Sequence, residues 1–572
     1  MFLKNYYVIP FIIELILALF ILLKGEYLFI HGNVALGLGI GVLALAAHRL
    51  YKMLSKITDI NALAFSRKLT VKLDDISADK KKVMLGRGFL WQNKHVQAMA
   101  DLSQVKEIET YCKSQESDGN PLIHGVGQRD EENIYINTGD LNLQSAIIGG
   151  TGSGKTRTLE FFAVQAIKRG EPVIIIDPKG DNELVDRLYD TCCSCNREND
   201  WQFFSLVHPK HSVSYNPLSN FSKGSDIASR IKSIMDNSGD SFYNNFIWGL
   251  VLAVVDGLIV LKQSVTLKKI EKYALGDIKT LYAEVKALEK QDPSKEESSM
   301  INEALKNLEY YTKQPDEFFQ KVRSNLMPVL RALTIGEVGS LLSETPSDIT
   351  WENVVHKNKV VYMYLGSMLD ATVAQNVGRM ALQDFLYYAG TIYAFQGSGD
   401  RTPINLFVDE FYNVMFDGYV DLLNKSRGAG VRASLFMQTS KDIESVTQSA
   451  AKAAQILANT NIKIFGRIPE PEIAELCCSL YGKTTIQQKM STDSATADVK
   501  GESVFTTSSG TRQMPKEVPL LNPEYITGLQ TGHAFVYVKG RMPYKLRFPI
   551  IEDAVKRPFM ENVTSDKARR VI

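Results

Sequence analysis

The apolar residues of this chain fall into three patterns. Tyr6 to Leu23 is apolar almost without interruption, broken by Glu14. Lys24-Gly25-Glu26 ends that run, and Tyr27 to Ala47 is apolar again, with His31 and Asn33 near its start. Each run approaches the ~20 residues that cross the hydrocarbon of a bilayer. The pattern predicts two spanning helices joined by a very short turn. From about residue 57 to 140 the sequence is mixed and polar. It holds Leu85-Gly-Arg-Gly-Phe-Leu-Trp91, then His95 and Gln97, and the alternating Asn133-Ile-Tyr-Ile-Asn137, a half-buried strand pattern. This segment reads as strands that lead into the core of the chain.

Short unbroken apolar runs then recur: 143–148 (LQSAII), 172–177 (PVIIID), 359–365 (KVVYMYL), 404–408 (INLFV), 433–438 (ASLFMQ), 461–467 (NIKIFGR) and 532–538 (GHAFVYV), taken as the last strand. Such runs suit strands covered on both faces, as in a parallel sheet. Between about 222 and 345 the pattern is helical and charged. Ser241 to Trp248 opens a long apolar helix through Leu261, and Lys268 to Lys313 is rich in Lys, Glu, Leu and Ala. That interval predicts an all-α domain inserted into an α/β core. Residues 484–515 are rich in Ser, Thr, Gln and Lys and read as a mobile insertion or hairpin; the polar tail after about 555 reads as frayed.

Charge sharpens the N-terminal reading. Lys4 precedes the first apolar run, and Arg49, Lys52 and Lys56 follow the second, so the positive-inside rule puts both flanks in the cytoplasm. Glu14 is costly against lipid and is expected to face a neighbouring helix or the interface. The 572 residues allow roughly two to four domains. A net charge of +1 neither announces nor excludes a nucleic-acid partner, because a local basic surface can hide in a neutral total. Six cysteines in a chain this long make no disulfide framework, and Cys192, Cys193 and Cys195 have no second Cys or His cluster at zinc spacing.

The chemistry concentrates in Gly149-Gly150-Thr151-Gly152-Ser153-Gly154-Lys155-Thr156, with Arg157 next in the chain. This is G-x-x-x-x-G-K-[ST] between a predicted strand and a predicted helix (Arg157 to Ile167), the setting in which the pattern cradles phosphates. The glycines let successive N–H groups face an anion, and the helix N-terminus adds partial positive charge. Lys155 can reach the β- and γ-phosphates of ATP, and Thr156 can offer its hydroxyl to Mg2+. Asp409 and Glu410 end an apolar run in the Walker B manner: Asp409 to hold Mg2+, Glu410 to orient the attacking water as general base. Gln438, at a later strand end, suits a γ-phosphate sensor or an ordinary polar terminus. Asp177 and Lys179 come after another buried run, where they either face the nucleotide or build the turn Pro178-Lys-Gly-Asp181.

GGTGSGKT, then VIIIDPKGD, FYNNFIW, LFVDEF and NKSRGAGV resemble the conjugative coupling proteins of the TraD type. The LGRGFLW stretch with His95 and Gln97 is similar to the subgroup carried by integrative conjugative elements. The resemblance runs from the membrane hairpin to about residue 540. It implies a RecA-like motor, a homo-hexamer at the bacterial inner membrane, that passes a relaxase–DNA complex to a type IV secretion channel using ATP. It also implies an arginine acting in trans across the subunit boundary. Arg427, in the Lys/Arg-rich turn before the sensor strand, is the first candidate and Arg467 the second. The chain ends soon after its last predicted strand, without the long acidic extension some relatives use, so docking is expected on another surface.

The fold class expected is therefore α/β: a RecA-like P-loop NTPase core with an inserted all-α domain and an N-terminal two-helix transmembrane hairpin. The expected division is 1–56 (hairpin), 57–221 (first part of the nucleotide-binding domain), 222–345 (all-α domain), 346–555 (second part) and 556–572 (tail). The rival readings are a nucleotide-switched docking receptor, against which the intact Glu410 speaks, and a chromosome-partitioning DNA pump, which would carry a dedicated DNA-binding module at one end. No LSGGQ-like signature lies between the two motifs, which sets an ABC transporter aside.

Overall fold

The structure is a computed structural model that describes residues 7–24, 32–64, 68–104, 118–235, 241–291, 294–397, 399, 401–416, 418–496 and 506–568. In chain order the elements used below are α1 (Val8–Lys24), α2 (Gly32–Ala64), β1 (Lys82–Leu90), α3 (Asn93–Ser103), β2 (Ser145–Ile148), α4 (Lys155–Lys168), β3 (Val173–Asp177), α5 (Asn182–Ser194), β4 (Trp201–Ser205), α6 (Gly224–Ser233) and α7 (Ser241–Val260). After the helical stretch come β5 (Val360–Tyr364), α8 (Ala371–Phe395), β6 (Ile404–Val408), α9 (Tyr419–Gly428), β7 (Val431–Met437), α10 (Ser440–Thr447) and β8 (Ile462–Phe465). The chain closes with β9 (Lys483–Thr496), β10 (Thr506–Pro519), β11 (His533–Val538), β12 (Tyr544–Arg547) and α11 (Phe559–Ala568). It divides into two compact units: Met1–Leu69 with Gly86–Ile134 and Phe465–Phe548, and Thr70–Leu85 with Tyr135–Ile464 and Pro549–Ile572.

In the first unit, α1 and α2 pack on each other; Gly39 of α2 permits the approach, since a Cβ there would strike the Leu22 side chain. Glu14 accepts from Arg49 Nε at 2.5 Å, so the carboxylate in the first apolar run has a cation on the second helix. The α2 helix runs on past Ala47 through the basic residues that end the apolar run. Lys4, the Gly25-Glu26 part of the expected break and the first residues of the second apolar run, 27–31, lie outside the described residues. The LGRGFLW stretch falls mostly in β1, whose neighbours in the sheet are the alternating strand Glu132–Asn137 and β12. As β1 it pairs antiparallel with β12, Leu90 opposite Tyr544 and Arg87 opposite Arg547. Gly88 has to be glycine, because a Cβ would run into the Lys545 carbonyl. Trp91 is fully buried and donates to Leu520 O at 3.0 Å.

Gln97 on α3 exchanges two hydrogen bonds with the Gln487 backbone, and Asn93 donates to Thr485 O, which fixes the base of the β9–β10 ribbon. The Ser/Thr/Gln-rich insertion is thus a hairpin, in register from Lys483 opposite Pro519 to Thr496 opposite Thr506; residues 497–505 lie outside the described residues. Nor is β11 the last strand: β12 comes after it and pairs with it, Ala534 opposite Leu546.

The second unit carries the parallel sheet, in the order β2-β7-β6-β3-β5-β4. Each of these strands except β4, whose first two residues are half-buried, and β5, at its last residue, is buried along its whole length, as the unbroken apolar runs require. Among the described residues 222–345 there are helices and no strand. Within them α7 buries Ile247, Leu250, Val251, Val254, Val255 and Leu258. The helical stretch is tied to the sheet unit by a fully buried ion pair, Arg230 of α6 to Asp384 of α8 at 3.0 Å. The tail expected to fray forms α11 instead, because Phe559 packs at 5.0 Å against both Tyr189 and Phe203.

Candidate nucleotide-binding site

Strand β2 delivers the chain into a loop whose Gly149 N–H still bonds across to Met437 O of β7 at 3.2 Å. Gly152 (φ 74°) and Gly154 (φ 98°) take left-handed backbone angles that side chains resist, and so the loop curls back to start α4. Ser153 N–H donates to Gly150 O at 3.2 Å. No side chain caps α4, so its first N–H groups and its dipole remain directed at the loop. Ser153 Oγ is buried with no partner among the described residues. This hollow of amides, open above Gly152 where a Cβ would meet nothing within 4 Å, fits a phosphate group. Lys155 Nζ bridges the loop, donating to Gly149 O (2.6 Å) and Gly150 O (3.1 Å). Burial lowers its pKa, against the opposing pull of Asp409, Glu410 and Asp442.

Asp409 and Glu410 leave the end of β6. Burial pushes Asp409 up to about 7; the charge of Asp177 and that of Glu410 push the same way, and Lys155 only partly offsets them. Burial raises Glu410 also, with Lys179 and Lys155 opposing and Asp177 and Asp442 adding to the rise. A group of carboxylates short of positive charge is what a divalent cation would neutralise, and Asp409 with the Thr156 hydroxyl fits Mg2+ in its chemistry. Glu410 takes a left-handed backbone (φ 39°, ψ 52°), an uncommon and strained setting for a residue with a side chain. Its carboxylate accepts from Asn413 Nδ2 at 3.0 Å.

Asp177 resolves in favour of the turn. It is fully buried and accepts from Gly180 N (2.7 Å), Asp181 N (2.9 Å) and Tyr362 OH (2.6 Å). It acts on the site only through its charge, while Lys179 is exposed and near enough to Glu410 to favour its ionised form.

Gln438 stands at the end of β7, between the P-loop strand β2 and the Asp409 strand β6. Thr151 Oγ1 donates to Gln438 Oε1 at 3.4 Å, which brings loop and sensor candidate together. The next residue, Thr439, caps α10 in a reciprocal box with Asp442. Arg157 is placed differently from the expectation of a phosphate ligand. Its guanidinium is held by Glu160 (2.6 Å) and Glu183 (2.5 Å). Arg427 is exposed in the last turn of α9, with no side-chain partner found among the described residues. Arg467 is paired with Asp118 at 2.5 Å. Sequence reasoning missed Asn413 and Asp442. The Thr439-Ser-Lys-Asp442 box was readable as a helix start after a strand; nothing local marked Asn413.

The sheet order, the loop and the acidic strand end define a RecA-like P-loop NTPase core with an inserted all-α domain. The family model for type IV secretory system conjugative DNA transfer matches residues 91–551. The chain belongs to that family, the conjugative coupling proteins of the TraD and TrwB type. It is 22% identical over 395 residues to the type 4 coupling protein DotL of Legionella pneumophila, a stretch that is 61% of this chain and 50% of DotL, so the chain spans about half the length of that relative. The unbound monoclinic form of the bacterial conjugative coupling protein TrwBdeltaN70 shares the fold, with a TM-score of 0.51 and 14% identity over 83% of this chain and 95% of that one. The plasmid coupling protein TrwB in complex with ADP and Mg2+ gives 0.49 and 14%, over 83% and 96%.

Proposed function

We propose that this protein is a membrane-anchored, Mg2+-dependent ATPase that moves DNA from a relaxase complex to a type IV secretion channel during conjugation. The observation that carries the ATPase reading is the placing of the P-loop and an acidic strand end at the same end of the parallel sheet: Gly149 follows β2 and Asp409-Glu410 follow β6, with β7 between them. In this reading Gly149 to Thr156 and the Arg157 N–H hold the phosphates of ATP, and Lys155 turns from the loop carbonyls to the β- and γ-phosphates. Thr156 and Asp409 hold Mg2+, which when bound neutralises charge developing on the phosphates. Glu410 orients the attacking water and accepts its proton. Gln438 hydrogen-bonds the γ-phosphate or the water. Arg427, exposed and without a side-chain partner among the described residues, is the arginine supplied to a neighbouring subunit of a homo-hexamer.

The two apolar helices α1 and α2 are the anchor in a bacterial inner membrane, crossing twice, with the bulk of the chain in the cytoplasm. Their support is the apolar length of α2, the apolar composition of the 17-residue α1, the Glu14–Arg49 pair and the basic flank of α2. The apolar α7 is not a third span in this reading, since half of it is buried within the protein.

ATP hydrolysis by the full chain in lipid nanodiscs, with single- and double-stranded DNA across a salt series, tests this. Stimulation that fades with salt is expected, because phosphate contacts release counterions. Hydrolysis indifferent to any DNA would overturn the DNA-moving part and favour export of protein alone. No hydrolysis would favour the docking-receptor reading.

A further inference from the structure

Glu410 is held by more than its strand. Three residues on, in the short helical turn Phe411–Asn413, Asn413 donates through Nδ2 to Glu410 Oε2 at 3.0 Å. Its N–H also bonds to Glu410 O at 2.9 Å, closing the turn that puts Glu410 in its left-handed backbone. Asn413 is itself set: its Oδ1 accepts from Gln375 Nε2 at 3.3 Å. That second contact fixes which way the amide points, because the oxygen is occupied and the nitrogen must face the carboxylate. Asn413 is buried, so water is a poor substitute for either partner.

Gln375 belongs to α8, which also bears Asp384. Nine residues separate the two, and at 3.6 residues per turn they emerge from opposite sides of the helix, roughly 13 Å apart along its axis. One side of α8 thus contacts the turn after Glu410. The other receives Arg230 of the helical stretch in a fully buried ion pair.

We propose that Asn413 is a positioning residue for Glu410, with Gln375 fixing Asn413, so that α8 joins the setting of the carboxylate to the inserted all-α domain. The proposal rests on the reading of Glu410 as the general base. An amide donor 3.0 Å from one carboxylate oxygen leaves the other oxygen for the water, and it restricts rotation of a side chain that emerges from a strained backbone.

The test uses the full chain in nanodiscs. Asn413→Ala is expected to lower kcat about 10- to 100-fold. KM for ATP, binding of a fluorescent ADP analogue and the melting temperature should stay near wild type. Asn413→Asp keeps the shape but replaces the donor with an acceptor, and should be at least as damaging; a packing role would tolerate it. In a Glu410→Gln background, Asn413→Ala should cause no further loss. Amide exchange at 410–413 in nucleotide-free protein should quicken in Asn413→Ala and in the milder Gln375→Ala, which serves if the first variant folds poorly. Wild-type kcat and unchanged exchange in these variants, with Glu410→Gln inactive, would overturn the proposal and leave the base intact. An active Glu410→Gln would overturn the base reading instead.

Discussion

Two carboxylates in the second unit, Asp384 and Asp409, are both raised by burial, to about 6 and about 7, and they differ in what surrounds them. Asp384 is enclosed by partners: the Arg230 guanidinium lies 3.0 Å from one oxygen in an ion pair, and the other oxygen accepts from Tyr215 OH at 2.8 Å and Trp351 Nε1 at 2.6 Å. Asp409 has one backbone donor, Glu410 N at 3.0 Å, the distant charge of Lys155, and two further carboxylates working against it. A buried charge completed by its own protein is architecture: Asp384 fastens the helical insert to α8. A buried charge left incomplete is one that a divalent cation would neutralise, the role proposed above for Asp409.

The largest effect that could break this contrast is at the incomplete site. Asp409→Ala should lower ATP hydrolysis by about 10³-fold, the upper end of what one electrostatic group contributes. It should also abolish any rise in melting temperature on adding Mg2+ with ADP, while leaving the fold intact. Asp384→Ala should do the reverse. It strands Arg230 in the interior and should cost about 3–5 kcal/mol in stability, measured by denaturant unfolding, because removing one partner of a buried pair leaves the other uncompensated. Mg2+ should offer it no rescue.

A pH series sharpens the same point. The folded-state pKa of Asp384 lies above the ~3.9 of an unfolded Asp, so the folded protein binds the extra proton between those values. Its contribution to stability is therefore full below about pH 4 and lost as pH rises through about 6, by at most about 3 kcal/mol. Asp384→Asn should flatten that slope; an unchanged slope would place the titration elsewhere. The smallest effect is at the contact between the loop and Gln438. Thr151→Val removes a 3.4 Å hydrogen bond to Gln438 and should slow hydrolysis by about threefold or less, in line with a weak bond of about 0.5 kcal/mol.

How much of this could be read from the sequence depended on whether the chemistry was local. The P-loop and Asp409-Glu410 were legible because their spacing and the apolar runs before them are themselves the signal. The α7 helix was legible as part of the helical insert, although its mean hydropathy of 1.6 equals that of the apolar part of α2; charged helices on either side of it marked its setting. The pairing of β1 with β12 was not legible, because β12 comes from the other end of the chain and the close approaches at Gly86 and Gly88 show only in the folded protein. Asn413 was invisible for a similar reason. Its meaning lies in which face of α8 turns toward it, and no spacing near Glu410 encodes that. The engagement of the Arg157 side chain by Glu160 and Glu183 was not legible either, because the motif's spacing says nothing of the acidic residues that face it. The tail misled because three apolar residues, Phe559, Met560 and Val563, anchor a largely polar helix.

The most direct test of the central claim compares Mg2+-dependent ATP hydrolysis by the full chain in nanodiscs with that of Glu410→Gln, with ADP analogue binding measured in parallel. The account predicts hydrolysis in the wild type that requires Mg2+, and a variant that binds nucleotide normally but hydrolyses it at least about 100-fold more slowly. Equal hydrolysis by the two proteins, or hydrolysis that survives removal of Mg2+, would contradict it.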